Sequence, residues 1–104
     1  MATTPEGRIK RKLDTMLKQE KVWYYSPQAG PFGHAGIPDR VAIVCGRFVG
    51  IECKADAKKP LRPLQVVTRD AICAAGGVWF RVHDDDTVAS VRQFIAEARA
   101  HARR

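Results

Sequence analysis

Residues 36–54 read Gly36-Ile37-Pro38-Asp39-Arg40-Val41-Ala42-Ile43-Val44-Cys45-Gly46-Arg47-Phe48-Val49-Gly50-Ile51-Glu52-Cys53-Lys54. Two runs rich in apolar and β-branched residues, about Arg40–Cys45 and Phe48–Lys54, suit strands. Gly46-Arg47 joins them, and a two-residue connection that opens with Gly suits a type II′ hairpin turn. Cys45 then opposes Phe48, Val41 opposes Glu52, and Asp39 opposes Lys54. Opposed residues of an antiparallel pair share a face, as do residues two apart on one strand. Asp39, Glu52 and Lys54 are therefore expected on one face, at one end of the hairpin. Both strands are apolar on both faces, which places the hairpin in the middle of a sheet.

Upstream, Ile9, Leu13, Met16 and Leu17 mark one face of a helix from about Pro5 to Glu20. Thr4 can cap it, with Pro5 at the first helical position and Glu6 in the first turn. Val22-Trp23-Tyr24-Tyr25 reads as a strand, with Trp23, Trp79 and Phe80 expected in the core. The loop from Ser26 to Pro38 is long for so short a chain. Downstream, the basic loop Lys58-Lys59-Pro60-Leu61-Arg62 leads into a helix from near Pro63, which Gly76-Gly77 ends. Val78–Val82 is a strand. Asp84-Asp85-Asp86-Thr87 offers N-caps for a last helix whose Val88, Val91, Phe94, Ile95 and Ala98 share a face. The order α-β-β-β-α-β-α describes an α/β fold with helices flanking a mixed sheet. At 104 residues and 45% hydrophobic, residues 1–104 make one domain.

Lys and Arg number 18 against 11 Asp and Glu, a formal charge of +7. That balance attracts polyanions, and nucleic acid is the expected partner. The three cysteines are odd in number and form no C-x-x-C pair. This argues against a disulfide framework and a thiolate zinc site, and fits a reducing cytoplasm. The N-terminus has no apolar h-region, and no stretch is long and apolar enough to cross a bilayer, so no membrane association is expected.

Glu52 and Lys54 interrupt a strand that is otherwise apolar, where charge is costly unless paired or metal-bound. One reading is an Asp39–Lys54 ion pair at a strand end with Glu52 turned outward. The other is chemical. Mg²⁺ is typically held by one or two carboxylates, waters and substrate phosphate. A nearby Lys can orient water and stabilise developing negative charge. Two acids and a Lys converging in a basic protein are what phosphodiester hydrolysis requires.

Pro38-Asp39 followed by Glu52-Cys53-Lys54 resembles the P-D…(D/E)-x-K nuclease signature. With Gly36 before it, Glu6 in the first helix and Gln65 at the start of the next, the pattern resembles the VRR-NUC group (virus-type replication-repair nuclease). The resemblance runs from Glu6 to about Val82 and is closest to the stand-alone viral and bacterial members. It implies a restriction-endonuclease-like fold and a Mg²⁺-dependent DNA endonuclease, with Mn²⁺ able to substitute. Asp39, Glu52 and the backbone carbonyl of Cys53 would bind metal, and Lys54 would position water. Glu6 would either bind a second metal or organise water, or else simply favour the helix N-terminus. Gln65 would hydrogen-bond the water or Lys54, or serve as an ordinary first-turn residue. The resemblance further implies a homodimer acting on branched DNA such as a four-way junction. His34, Lys58, Lys59 and Arg62 are candidate DNA contacts, with solvated loop charge as their alternative. The competing function is a non-catalytic nucleic-acid-binding module on the same fold. A sequence-specific restriction-type nuclease would need a recognition insertion, and none is visible.

Overall fold

The computed structural model describes residues 3–28 and 35–103. Its elements are α1 (Pro5–Gln19), β1 (Trp23–Tyr25), β2 (Arg40–Val44), β3 (Arg47–Cys53), α2 (Pro63–Ala74), β4 (Val78–Val82) and α3 (Asp85–Ala102). The expected order is the observed one. The strands form one mixed sheet in the order β1-β2-β3-β4, antiparallel through β3 and parallel between β3 and β4. The doubly apolar hairpin occupies the two central positions. The helix α2 makes the crossover that a parallel pair needs.

Local chemistry sets the helix starts. The Thr4 hydroxyl accepts from the Gly7 N–H at 3.0 Å, ahead of Pro5. Asp84 caps α3 by accepting from the Thr87 N–H at 2.8 Å. On one sheet face Ala42, Val44, Val49, Ile51, Cys53 and Val82 are buried against Ile9, Leu13, Met16 and Leu17 of α1 and Val88, Val91 and Ile95 of α3. The opposite face is covered only in part. There α2 lies over β3 and β4, with Ile72 against Gly50 and Arg69 stacked on the Trp79 ring at 5.8 Å.

The hairpin turn differs from the sequence expectation. Its loop is Cys45-Gly46, with φ of +49° and +82°, and Arg47 belongs to β3 opposite Val44. Positive φ at both central residues is the type I′ signature, whose twist matches that of the flanking strands. Cys45 accepts a left-handed conformation that a sequence reading reserves for Gly, Asn or Asp. The register therefore runs Val41 opposite Gly50 and Arg40 opposite Ile51. Neither Val41–Glu52 nor Asp39–Lys54 is an opposed pair. The register moved by two residues, and the side-chain period is also two, so every residue kept its face.

Candidate active site

Asp39 directly precedes β2, one step beyond the Arg40–Ile51 pair, and so arrives beside Glu52. Its Oδ2 accepts from the Cys53 N–H at 2.8 Å, which fixes the carboxylate against the end of β3. Gly36 shapes the approach. Its φ is +83°, and a Cβ there would sit 2.3 Å from the Leu64 carbonyl oxygen. Only glycine lets residues 36–39 pass so close to the N-terminus of α2.

Glu52 is 4% exposed and Lys54 7% exposed, the two buried charged residues among those described. Gln65, in the first turn of α2, joins them. Its Nε2 donates to Glu52 Oε1 at 3.0 Å, and its Oε1 accepts from Lys54 Nζ at 2.9 Å and from the Arg62 N–H at 2.8 Å. The amide thus ties acid, base and helix start together. The other carboxylate oxygen, Glu52 Oε2, is buried with no hydrogen-bond partner among the described residues. Burial, then the neighbouring Asp39 carboxylate, pushes the Glu52 pKa up to about 8, against the opposing pull of Lys54. No Asp39–Lys54 ion pair is formed; the cation against Asp39 is Lys10.

From sequence Lys10 reads only as one of the basic residues Arg8, Lys10, Arg11, Lys12 and Lys18 on the outer face of the first helix, solvated or phosphate-facing; its contact with Asp39 is not readable there. Its Nζ lies 3.5 Å from Asp39 Oδ1 and 3.4 Å from Glu6 Oε2. Partial burial lowers its pKa, but Asp39 and Glu6 outweigh that and leave it raised. Its i, i+4 spacing from Glu6 was the one available signal. A second undetected feature locks α1 to the sheet. Arg40 Nε and Nη2 donate to Asp14 Oδ1 and Oδ2 at 2.7 and 3.0 Å, while Nη1 donates to the Asp39 carbonyl at 2.8 Å. The hydrogen bonds to Asp14, foremost among its neighbours, raise the Arg40 pKa.

The Cys53 side chain points into the core, fully buried, and burial pushes its thiol up to about 12, so it is inert as a nucleophile. Its backbone lies at the edge of the acid pair. Arg62 lines a cleft of about 700 Å³ that opens beside Asp39 and Glu52. Lys58 and Lys59 are exposed in the turn after β3, and neither is paired to an acid of the site. His34 lies outside the described residues.

A Mg²⁺ site needs hard oxygen ligands, not a closed cage of side chains. Among the described residues, no group of three or more His, Cys, Asp or Glu is arranged to hold a metal. Two carboxylates are drawn together, however, and one buried oxygen lacks any donor among the described residues. That pair matches the donor chemistry of a small divalent cation supplemented by a carbonyl and water.

No family model matches the sequence, and no curated protein matches it. A solved VRR_NUC domain is similar in structure, with a TM-score of 0.77 at 22% identity, over 88% of this chain and 97% of that one. The expected α/β architecture, with its mixed sheet and three flanking helices, is therefore the fold of a VRR-NUC domain.

Proposed function

We propose that the chain is a divalent-metal-dependent DNA endonuclease acting on branched or otherwise structured DNA. The observation that carries this reading is the buried Glu52 carboxylate, whose Oε2 has no donor among the described residues while Asp39 crowds it. Leaving a buried acid in that state is costly. A bound cation removes the cost, which gives the arrangement a purpose. Asp39, Glu52 and the Cys53 carbonyl would hold Mg²⁺, or Mn²⁺ in its place. When bound, the ion supplies Lewis acidity toward a phosphate oxygen and lowers the pKa of its water.

The chain's own groups do the rest. Lys54 Nζ, fixed by Gln65 Oε1, holds a positive charge beside the acids, where it orients water and stabilises negative charge on the scissile phosphate. Gln65 keeps Glu52 and Lys54 in register with each other. Arg62 stands on the cleft wall, where it can meet the DNA backbone, and Lys58 and Lys59 extend the positive surface. The net charge of +7 attracts DNA to the molecule as a whole. A module that only binds nucleic acid gains nothing from two acids facing phosphate, which weighs against the non-catalytic alternative.

The proposed assembly is a homodimer. Trp23, Ile43 and Phe48 are opposed in sequence across β1, β2 and β3, forming one row on the sheet face that α2 leaves open. All three are exposed, Trp23 by 62%, contrary to its expected place in the core. Exposed apolar rows of this kind favour association. A two-fold dimer presents two sites to two strands, which suits a four-way junction. The test is cleavage of duplex, single-stranded, flap and four-way DNA with and without Mg²⁺. Metal-dependent cutting, strongest on branched DNA, is expected. Equal binding of all four with no cutting would favour the binding module.

A further inference from the structure

Lys10 has no role in the proposed chemistry, yet it sits against Asp39. Five basic residues lie on α1 between Arg8 and Lys18. Lys12 is paired with Asp85 of α3, away from the acid pair. Lys10 is partly buried and reaches across to Asp39. A helix-surface pair with Glu6 would need no such reach, because i, i+4 neighbours meet without help.

The two oxygens of Asp39 divide the site. Oδ2 accepts from the Cys53 N–H at the end of β3, the strand that carries Glu52. Oδ1 faces α1, where Lys10 Nζ bridges it to Glu6 Oε2. A divalent ion placed between Glu6 and Asp39 would have to share that space with the ammonium. Two cations at contact distance in a partly buried site repel strongly. We propose that Lys10 is a built-in second cation: it fills the place between Glu6 and Asp39, so the site takes a single divalent ion, on the Glu52 side. Glu6 is then a holder of Lys10 and not a metal ligand. The inference rests on the proposed metal site at Asp39 and Glu52 and specifies its stoichiometry. It also leaves one fixed positive charge on the α1 side of that site, ready for a phosphate oxygen.

The experiment counts ions on the DNA-free protein, by calorimetric titration with Mn²⁺ and by the electron paramagnetic resonance signal of free Mn²⁺. Wild type and Lys10→Arg should each bind one Mn²⁺ per chain. Lys10→Met should bind two, and Lys10→Met combined with Glu6→Gln should return to one. Lys12→Met, which removes the same charge elsewhere on the helix, should stay at one. Lys10→Gln is the equivalent comparison should the Met variant fold poorly, with thermal unfolding as the check. Two ions on wild type, or one ion on the folded Lys10→Met or Lys10→Gln protein, would overturn the proposal alone. No ion on wild type would remove the metal reading of Asp39 and Glu52 and this proposal with it.

Discussion

Gln65 Nε2 donates to Glu52 Oε1 at 3.0 Å, so a helix-start amide sets the orientation of a buried strand carboxylate. The same amide's oxygen accepts from Lys54 Nζ and from the Arg62 N–H. Gln65→Ala should therefore have two effects. Activity should fall roughly 10–100-fold, as for other groups that orient metal-binding ligands. Stability should fall by about 1 kcal/mol from the lost contact at the start of α2. Steady-state cleavage and denaturant unfolding of the one variant measure both. Full activity in Gln65→Ala would mean that the amide positions nothing.

The raised Glu52 pKa makes a sign-definite statement about stability. Between the ordinary value of 4.5 and about 8, the folded chain holds a proton on Glu52 that the unfolded chain has released. Its contribution is thus fully present below pH 4.5 and is lost as pH rises through 8. Metal-free wild type should lose stability relative to Glu52→Gln over that window. Saturating Mg²⁺ should flatten the difference, since the cation favours the ionised acid. Urea unfolding at intervals between pH 4.5 and 8.5 gives the two slopes, and parallel slopes would contradict the assignment.

The paired contact of Arg40 with Asp14 is a structural lock between α1 and the start of β2, half-buried and two-pronged. Asp14→Ala leaves the guanidinium with only the Asp39 carbonyl as partner. A loss of about 2 kcal/mol is expected for hydrogen bonds to a charged group, or roughly 8–16 °C in Tm for a domain of this size. Calorimetry checks it, and an unchanged Tm would show the lock to be ornamental.

The order of elements was legible because Ile9, Leu13, Met16 and Leu17 keep one helical phase, and because Thr4, Gly76-Gly77 and Asp84 carry cap and stop chemistry of their own. The hairpin register was not legible. Its turn depends on Cys45 adopting φ of +49°, which no local preference announces. The grouping of Asp39, Glu52 and Lys54 on one face survived the error only because the shift was even. The Lys10–Asp39 contact and the Arg40–Asp14 lock were not legible for a different reason. Both join α1 to the beginning of β2, and the angle at which a helix crosses a sheet is decided by packing. Trp23 was misplaced because β-propensity says that an aromatic residue belongs in a strand and does not say which face is covered.

The exposed row of Trp23, Ile43 and Phe48 makes the assembly testable without touching the acid site. Wild type should sediment as a dimer at micromolar concentration. Trp23→Ser, at an already exposed position, should shift it to monomer with little change in Tm. A wild-type chain that stays monomeric at high micromolar concentration, with and without four-way DNA, would dismiss the dimer.

Glu52→Gln tests the central claim most directly. The substitution keeps the size of the side chain and can keep the contact to Gln65, but it removes the negative charge that would hold Mg²⁺. Cleavage of four-way DNA should be nearly abolished over the whole range of Mg²⁺ concentrations, while metal-free DNA affinity at neutral pH stays the same, because the metal-free fold already holds Glu52 protonated below about pH 8. Glu52→Gln protein that cuts at the wild-type rate would contradict the account.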